Sequence, residues 1–256
     1  MKLPPLIYIS PNGCQGTHGE GWSQEWPGKD DLPSVASIME QLPESVFQSD
    51  KAAVLLQDSW LNPLRIHLEE KVSRSELPKF LIWKLKRFLP YAADQAEIRH
   101  IDLGDGHYLT FTLPKPWLQD LYQALADKGV ACGYIGGLAS TLLENRPYLT
   151  GKLSLCLFAD TYVLCEQNEQ GGYLDFRLRR LPYNETQLDV ETLVKSDLGP
   201  LMQKSERPLT AINFEPRLAG DFKNLSNHLS GSNMTELHGP TLARFQSCWN
   251  GQGGLS

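Results

Sequence analysis

The 256-residue sequence lacks the short motifs by which several enzyme classes are recognised. It contains no G-x-x-x-x-G-K-[ST] phosphate loop, no G-x-S-x-G nucleophile motif and no H-E-x-x-H zinc motif. Its six histidines include no pair at metal-ligand spacing. Nucleotide hydrolysis on a P-loop, serine hydrolysis and zinc-dependent proteolysis are therefore not indicated by any pattern in the chain.

Cysteine is scarce, and long apolar runs are absent. Five cysteines without a C-x-x-C pair support neither a disulfide framework nor a zinc knuckle, so we expect a reducing compartment. Cys156 and Cys165 lie on neighbouring predicted strands, where buried thiols that act as small hydrophobes are favoured over a redox pair. No apolar run approaches the ~20 residues that span a bilayer, and Met1 to Pro5 does not open a secretory signal. We therefore expect a cytoplasmic protein that is peripheral to a membrane only through its partners.

The chain also lacks an excess of positive charge. A net charge of −6 and a pI near 5.5 argue against general affinity for nucleic acid. The composition, 41% hydrophobic and 21% charged, is that of an ordinary globular protein. A chain of 256 residues is long enough for two domains, which is the arrangement we prefer.

Residues 151–181 predict three successive strands. The almost unbroken apolar run from Leu153 to Phe158 is typical of a central strand that is covered on both faces. Tyr162 to Glu166 follows after a short turn, and Tyr173 to Leu181 alternates between apolar and charged residues. On this third strand we expect one face toward a core and the other toward water. The core face comprises Leu174, Phe176 and Leu178, and the water face comprises Asp175, Arg177 and Arg179.

The remaining second half alternates helices and strands. A helix capped by Asn184 or Gln187 and carrying Leu188 to Leu201 is followed by a strand at Leu209 to Phe214. A helix at Arg217 to Leu229, a strand at Asn233 to Leu237 and a helix from Pro240 complete the half. The predicted order of elements over residues 151–250 is therefore βββαβαβα.

The first half spells a similar order with an insertion. Before the insertion, the predicted elements are a strand at Leu6 to Ser10, an uncertain strand at Gly21 to Trp26, a helix capped by Asp30 or Asp31, and a strand at Lys51 to Gln57. After it, they are a helix from Pro116, a strand at Val130 to Ile135 and a short helix at Gly137 to Asn145. The insertion comprises a strand at Leu64 to Leu68, a helix from the Ser73/Glu76 capping box to Leu89, and a hairpin over 98–113 with a Gly104-Asp105-Gly106 turn.

This order is the repeating unit of the actin, sugar kinase and Hsp70 fold. We predict an α/β protein with an actin-like, ribonuclease H-like fold of two lobes, each βββαβαβα, with an insertion in the first lobe. The first lobe spans 1–149 with a small inserted subdomain at about 58–113, the second spans 150–250, and 251–256 is a tail. No sequence identity relates the halves, so the repeat is one of topology alone.

Three local patterns admit a functional and a structural interpretation. Gly13, Gly16, Gly19 and Gly21 suggest a phosphate loop, but no helix start follows them directly. Asp102-Leu103-Gly104 imitates the D-[LI]-G signature of actin-like ATPases, but it lies too late in the chain for that role. The four cations Lys79, Lys84, Lys86 and Arg87 fit a solvated helix face or a surface for an acidic or phosphate partner.

The segment Trp83-Lys84-Leu85-Lys86-Arg87-Phe88-Leu89-Pro90-Tyr91, with Ala96 five residues on, resembles the PilM family of type IV pilus assembly proteins. These are actin-like cytoplasmic components related to the cytoplasmic part of the type II secretion L protein. The similarity continues through the hairpin and the helix Trp117 to Lys128. It then reaches Gly172-Tyr173-Leu174-Asp175-Phe176-Arg177 and Arg180-Leu181-Pro182, and it covers residues 50 to 250.

The chain departs from the family at the positions that bind ATP. Members that bind ATP have an aspartate and a glycine at the end of the first strand of each half, and a glycine pair after the strand near residue 210. Here the corresponding segments are Ile9-Ser10-Pro11-Asn12, Phe158-Ala159-Asp160-Thr161 and Phe214-Glu215-Pro216. Proline removes a backbone donor and glutamate repels phosphate, whereas glycines let bare amides approach it. We therefore expect a pseudo-ATPase without a nucleotide cofactor and without a metal.

The resemblance implies a non-catalytic cytoplasmic adaptor of a bacterial type IV pilus or type II secretion inner-membrane platform. Its partners would be the cytoplasmic tail of a bitopic membrane protein and other platform components, without nucleic acid. In the family the tail lies as an extended peptide in a groove of the first half. The candidate partner-binding residues are Trp83, Arg87, Phe88 and Tyr91, although core packing is an alternative role for Phe88 and Trp83.

The alternative function is that of an actin-like ATPase or a sugar-kinase-type enzyme that binds ATP with magnesium through altered contacts. Asp160, Asp102 and Asp105 are then the plausible metal ligands. Calorimetry with Mg-ATP separates this alternative from the adaptor.

Overall fold

The structure is a computed structural model that describes residues 5–17, 22–25, 31–144, 149–181, 190–229, 232–235, 237 and 241–249. The chain divides into two compact units, Met1–Ser140 and Thr141–Ser256. The strands of the described residues are β1 Leu6–Ser10, β2 Gly13–Gly16, β3 Trp22–Glu25, β4 Lys51–Leu56, β5 Leu64–His67, β6 Ala96–Gly104, β7 His107–Pro114, β8 Ala131–Gly137, β9 Leu153–Leu157, β10 Thr161–Gln167, β11 Tyr173–Arg180, β12 Leu209–Asn213 and β13 Asn233–Thr235. The α-helices are α1 Val35–Gln41, α2 Leu77–Leu85, α3 Lys115–Asp127, α4 Leu138–Glu144, α5 Val190–Lys204, α6 Ala219–His228 and α7 Thr241–Trp249.

The first unit is built on a five-stranded sheet in the order β3-β2-β1-β4-β8. Strand β1 pairs antiparallel with β2 and parallel with β4, and β4 pairs parallel with β8. All five apolar residues from Ala52 to Leu56 of β4 are buried, which is the burial expected of a central parallel strand. The element order is βββαβ, an insertion, and then αβα.

The insertion forms its own three-stranded antiparallel sheet, in the order β5-β7-β6, with α2 packed on it. The long hairpin of β6 and β7 turns at Asp105 and Gly106, which have φ values of 50° and 73°. These left-handed values explain why the turn uses a D-G pair. The buried stripe of α2 is Leu77, Leu81 and Leu85, at the four-residue spacing of one helix face.

The second unit has the element order βββαβαβα and a five-stranded sheet in the order β11-β10-β9-β12-β13. Every residue of β9 is buried, as the unbroken apolar run predicted. Leucines 153, 155 and 157 of β9 belong to the core that α5 and α6 cover. The prediction of an α/β architecture with a central β9 is therefore confirmed.

The structure corrects several local predictions. Gly13–Gly16 is a strand, where the sequence suggested only a turn and a polar loop. Ser34, not Asp30 or Asp31, is the N-cap of α1, since its hydroxyl accepts a hydrogen bond from the Ser37 amide at 3.2 Å.

The predicted capping box of α2 is also wrong. The helix begins at Leu77 and ends at Leu85, its N-cap is Glu76, and no side chain forms a cap hydrogen bond there. The Ser73 hydroxyl instead donates to the Glu76 carboxylate at 2.6 Å. On α3, Leu118, Leu121 and Leu125 are buried, whereas Tyr122 is 46% exposed. The predicted caps Asn184 and Gln187, and the predicted helix start at Pro240, lie outside the described residues.

The outer strand β11 does not follow the predicted pattern. Phe176 is buried as predicted, but Leu174 is 56% exposed. On the other face, Arg177 and Arg179 do not simply point to water, because both bind the carboxylate of Asp197 on α5. A helix therefore lies over the face that charge alternation assigned to solvent.

No helix in the described part of the chain is both long enough and apolar enough to cross a bilayer.

Candidate functional site

In the first unit, a tight turn follows β1 at the position where ATP-binding relatives were expected to carry an aspartate and a glycine. Ser10 pairs with Gly13, so Pro11 and Asn12 alone form the connection to β2. The Ser10 hydroxyl donates to the Gly13 carbonyl oxygen at 3.1 Å. A Cβ on Gly13 would lie 2.1 Å from the Gln24 carbonyl oxygen, so this glycine serves the close approach of β3. The turn is short, and Pro11 offers no amide to a ligand.

A buried carboxylate occupies the first amides of α4 in the same unit. Asp58, 1% exposed, follows β4 and accepts hydrogen bonds from the amide of Ala139 at 3.0 and 3.1 Å and from that of Ser140 at 3.4 Å. The Ser140 hydroxyl in turn accepts from the Gly137 amide at 2.7 Å. Helix N-terminal amides are favourable positions for an anion, and here a side chain of the protein supplies the anion.

In the second unit, aromatic rings fill the carboxyl ends of the central strands. Phe158 directly follows β9, Phe214 directly follows β12, and their rings stack with centroids 5.0 Å apart and planes 8° apart. The ring of Phe245 on α7 lies 5.8 Å from Phe214. All three side chains are at most 1% exposed. Phe158 and Phe214 belong to the two segments where an aspartate-glycine pair and a glycine pair were expected in ATP-binding relatives.

Glu215 adds a buried negative charge next to this aromatic stack. Its carboxylate accepts from the Arg217 amide at 3.1 Å, from the Arg217 Nε at 2.8 Å and from the Thr241 hydroxyl at 3.3 Å. The side chain is only 7% exposed, and its own amide donates to Asn213 Oδ1 at 3.0 Å. The carboxylate therefore stabilises the short turn between β12 and α6, and it would repel a phosphate group.

A cavity of about 550 Å³ lies nearby in the second unit. Helix α6 contributes Lys223 and Asn227, α7 contributes Arg244, and Asn213 lies at the end of β12. One nitrogen of the Arg244 guanidinium donates to the Asn213 carbonyl oxygen at 3.3 Å. This volume falls in the range of small-molecule sites, and the charged lining residues are both cations.

The three aspartates considered as magnesium ligands belong to two different units of the chain. Asp102 and Asp105 belong to the β6–β7 hairpin of the insertion, where the Asp102 carboxylate accepts from the Gly104 amide at 2.8 Å. Asp160 lies in the β9–β10 turn of the second unit and is 3% exposed. Among the residues that the structure describes, no group of three or more His, Cys, Asp or Glu side chains could hold a metal ion.

The four residues predicted to bind a partner divide into two sets. Trp83 is 54% exposed and Phe88 is 62% exposed, and Arg87 between them is also exposed. Tyr91 is only half-buried, and burial raises the pKa of its phenol while the Thr112 hydroxyl of β7 opposes that effect. The core-packing alternative for Trp83 and Phe88 is therefore wrong. However, the residues lie on a helix and its following turn, which offer no strand edge to an extended peptide.

Strand edges do meet elsewhere in the first unit. β8 and β6 are each the last described strand of their sheets. The Arg99 guanidinium of β6 donates to the Ile135 carbonyl oxygen of β8 at 2.9 Å and lies 4.6 Å from the centre of the Tyr134 ring. We name this surface the β6/β8 seam and define it by Glu97, Arg99, Tyr122, Cys132 and Tyr134.

The seam combines two tyrosine rings and a thiol with one charge of each sign. Burial raises the pKa of the Tyr122 phenol, and the charges of Cys132 and Glu97 raise it further while that of Arg99 lowers it. The Tyr134 ring lies across Gly136, where a Cβ would be 2.5 Å from the Tyr134 hydroxyl.

The edge of β8 is irregular at the seam. The pairing of β4 with β8 shifts between Ala52 and Ala53, which leaves Gly133 as an extra residue next to Cys132 and Tyr134. Bulges of this kind re-aim side chains at sheet edges.

Sequence reasoning missed the seam because its parts come from three distant segments. The signals that were available are single residues in edge strands, such as the arginine of β6 and the glycine-rich end of β8. Neither is distinctive without the sheet order.

No protein-family model matches the sequence, and no curated protein matches it. Solved structures do match. One is a chain of the PilM-PilN type IV pilus biogenesis complex, with a TM-score of 0.55 and 13% identity over 90% of this chain and 87% of that chain. Another is the cytoplasmic domain of EpsL, an inner membrane component of the type II secretion system of Vibrio cholerae, with a TM-score of 0.51 and 11% identity over 98% and 95% of the two chains.

A third is a Bacteroides thetaiotaomicron protein of unknown function with an actin-like ATPase fold. It has a TM-score of 0.55 and 11% identity over 96% of this chain and 95% of that chain. At these identities the likeness shows the fold. The chain has an actin-like fold similar to those of the PilM-PilN complex chain and cytoplasmic EpsL, as the sequence predicted.

Proposed function

We propose that the protein is a non-catalytic cytoplasmic adaptor of a type IV pilus or type II secretion inner-membrane platform, and that it holds the cytoplasmic tail of a bitopic membrane partner. The fold likeness to a chain of the PilM-PilN complex and to cytoplasmic EpsL supports this assignment. The observation that carries the tail-binding part is the β6/β8 seam, where the Arg99 side chain of one edge strand binds the edge strand of another sheet in the same unit.

The tail binds along the seam as an extended segment. An added strand of about five residues pairs its main chain with an outer strand edge and places alternate side chains against the protein. Tyr122 and Tyr134 provide aromatic contacts from α3 and β8, while Arg99 provides a cation that selects an acidic or carbonyl-rich partner.

The absence of catalysis is part of the same proposal. Two buried phenylalanines, Phe158 and Phe214, and the carboxylate of Glu215 lie in segments where ATP-binding relatives were expected to carry glycines, and the carboxylate of Asp58 already accepts from the first amides of α4. Binding a polyphosphate would require exposing those rings or displacing those carboxylates, and either change costs several kcal/mol. The protein therefore acts by holding its partner and not by hydrolysing a nucleotide.

The test is co-purification from native membranes with mass spectrometry, followed by deletion of the first ~10 to 20 residues of the captured bitopic partner, a length that contains one added strand. We expect capture to be lost after this deletion. Tyr122→Ala and Arg99→Ala should each weaken capture about tenfold or more. Leu174→Ala is the matched control, because it removes an exposed apolar side chain from an outer strand of the other unit. Undiminished capture of the truncated partner would refute the proposal.

The cavity beside Arg244 favours a second candidate function, a nucleotide-binding actin-like ATPase or sugar-kinase-type enzyme. Lys223 and Arg244 would contact an anionic ligand there. Calorimetry with Mg-ATP decides between the two functions. Saturable binding at micromolar concentration that Arg244→Ala abolishes would replace the adaptor by this second candidate.

The partner-binding role of Trp83, Arg87, Phe88 and Tyr91 stays a prediction. The capture experiment tests it when Trp83→Ala is included beside the seam variants.

A further inference from the structure

The outer face of α2 combines exposed aromatic rings with clustered cations. Lys79 and Trp83 are four residues apart and therefore lie on one face of the helix, opposite the buried stripe of Leu77, Leu81 and Leu85. Trp83 is 54% exposed, and Phe88 just beyond the helix is 62% exposed. Exposing such large apolar side chains to water is unfavourable unless a partner or a membrane covers them.

The cations are held close to these rings. The Lys84 Nζ lies 5.6 Å from the centre of the Trp83 ring and 6.0 Å from that of Phe80, and the Lys86 Nζ lies 5.7 Å from Trp83. The rings of Phe80 and Trp83 are 5.5 Å apart. Arg87 is also exposed, so cationic heads surround an aromatic centre.

The sign of the charge on this face is opposite to that of the whole protein. Residues 77–91 contain four cations, Lys79, Lys84, Lys86 and Arg87, and no aspartate or glutamate. The chain as a whole carries a net charge of −6. Attraction to an anionic surface must therefore act locally, within about one Debye length of α2, and it orients the protein with this face toward that surface.

We propose that the outer face of α2, defined as Lys79, Trp83, Lys84, Lys86, Arg87 and Phe88, docks directly on an anionic phospholipid bilayer. Trp83 and Phe88 enter the headgroup layer, while the lysine and arginine heads contact lipid phosphates. This contact goes beyond the proposed adaptor function, in which partners alone bring the protein to the membrane.

A bilayer fits the face better than a protein tail does. The face belongs to α2 and the turn that follows it and offers no strand edge, so an extended peptide would gain no main-chain pairing there. Interleaved aromatic and basic side chains on a helix match the lipid-water interface, where rings sit at headgroup depth and cations meet anionic lipids. The seam and the outer face of α2 can therefore serve different ligands.

The test is co-sedimentation of the full chain with vesicles that contain no protein. Vesicles of phosphatidylethanolamine and phosphatidylglycerol should sediment the protein, and vesicles of phosphatidylcholine should not. Each cation near an anionic surface contributes about fivefold to partitioning, so K84Q/K86Q should weaken it about 30-fold. Raising the salt concentration should weaken wild-type partitioning steeply.

The matched control is K51Q/K204Q, which removes the same charge from exposed lysines elsewhere and should sediment like the wild type. Trp83→Ala should lower partitioning several-fold at low and at high salt, because it removes the apolar contact. Each substituted side chain is exposed, so thermal unfolding should be unchanged and serves as the check on folding.

Equal sedimentation of K84Q/K86Q and K51Q/K204Q would overturn the proposal, and so would equal sedimentation of the wild type with phosphatidylcholine vesicles. Normal vesicle binding by K84Q/K86Q together with loss of partner capture would assign the face to a protein partner, which also overturns it. Because the vesicles carry no tail, failure of the adaptor proposal leaves this result unaffected.

Discussion

The ion-pair cluster at Asp197 gives the clearest quantitative test of how the second unit is held together. The Asp197 carboxylate of α5 accepts hydrogen bonds from the Tyr162 hydroxyl at 2.8 Å, from Arg177 Nη1 at 2.8 Å and from Arg179 Nε at 2.9 Å. It is 9% exposed, so one buried carboxylate joins strands β10 and β11 to the helix over them. We choose Asp197→Asn because it keeps the shape and removes the charge.

The magnitude follows from the pKa of this carboxyl group. The hydrogen bond from Arg179, with those of Tyr162 and Arg177, lowers the pKa from 3.8 to about 2, against the opposing effect of burial. A tenfold change in proton affinity is worth about 1.4 kcal/mol, which gives about 2 kcal/mol. Because the Arg179 side chain is 61% exposed, solvent screening reduces this to about 1 to 2 kcal/mol.

The direction of the Asp197 pKa shift sets the pH range in which this carboxylate stabilises the folded state. The pKa is lowered in the folded state, so the stabilisation is fully present above 3.8 and is lost as the pH falls from 3.8 toward 2. Asp197→Asn should destabilise the protein by about 2 to 3 kcal/mol at pH 7, because the half-buried Arg177 then loses its charged partner. The difference between wild type and variant should shrink below pH 3.8.

The assay is urea unfolding followed by circular dichroism from pH 7 to 2.5, since urea adds no ions that would screen the pair. Hydrogen exchange of β10 and β11 peptides at pH 7 assigns the change to the second unit. Glu206→Gln is the control, because Glu206 is exposed in the same unit. If the free energies of unfolding of the wild type and Asp197→Asn differ by the same amount across the whole pH range, the reasoning is refuted.

Three further predictions concern buried positions. Gly137→Ala should destabilise the protein by about 1 to 3 kcal/mol in urea unfolding, because the added Cβ would lie 2.1 Å from Asp58 Oδ1. Gly104→Ala tests the effect of a left-handed backbone separately, since its Cβ would meet no other atom within 4 Å. Phe214→Ala should cost about 3 to 5 kcal/mol, and a loss below 1 kcal/mol would contradict the buried stack. Burial raises the pKa of the Cys165 thiol to about 12, so iodoacetamide should label Cys165 at pH 8 only after unfolding, as peptide mass spectrometry would detect.

The sequence predicts most of the sheet core because burial on both faces leaves a continuous apolar signal. Strand β9 and the three-strand order of the second unit are examples. The alternation of apolar and charged residues in β11 does not predict the positions of Arg177 and Arg179. Their partner Asp197 lies 18 to 20 residues away on a helix, and the pattern within the strand carries no information about that helix.

Strand β2 was missed for a different reason. Glycines are poor strand formers, but a Cβ on Gly16 would lie 2.2 Å from the Trp22 ring, so cross-strand packing selects glycine there. The candidate seam was missed because edge strands from distant segments create it, and a single sequence does not reveal which strands end a sheet.

The aromatic stack at the end of β9 and β12 has an evolutionary consequence. Phe214 stacks on Phe158 and lies against Phe245, so replacing Phe214 by a small residue opens a cavity beside both rings and lowers stability by several kcal/mol. A folded domain has only about 5 to 15 kcal/mol in reserve. Replacing Phe214 by a glycine would therefore use much of that reserve, which makes the buried stack a strong constraint on the residues that can follow β12.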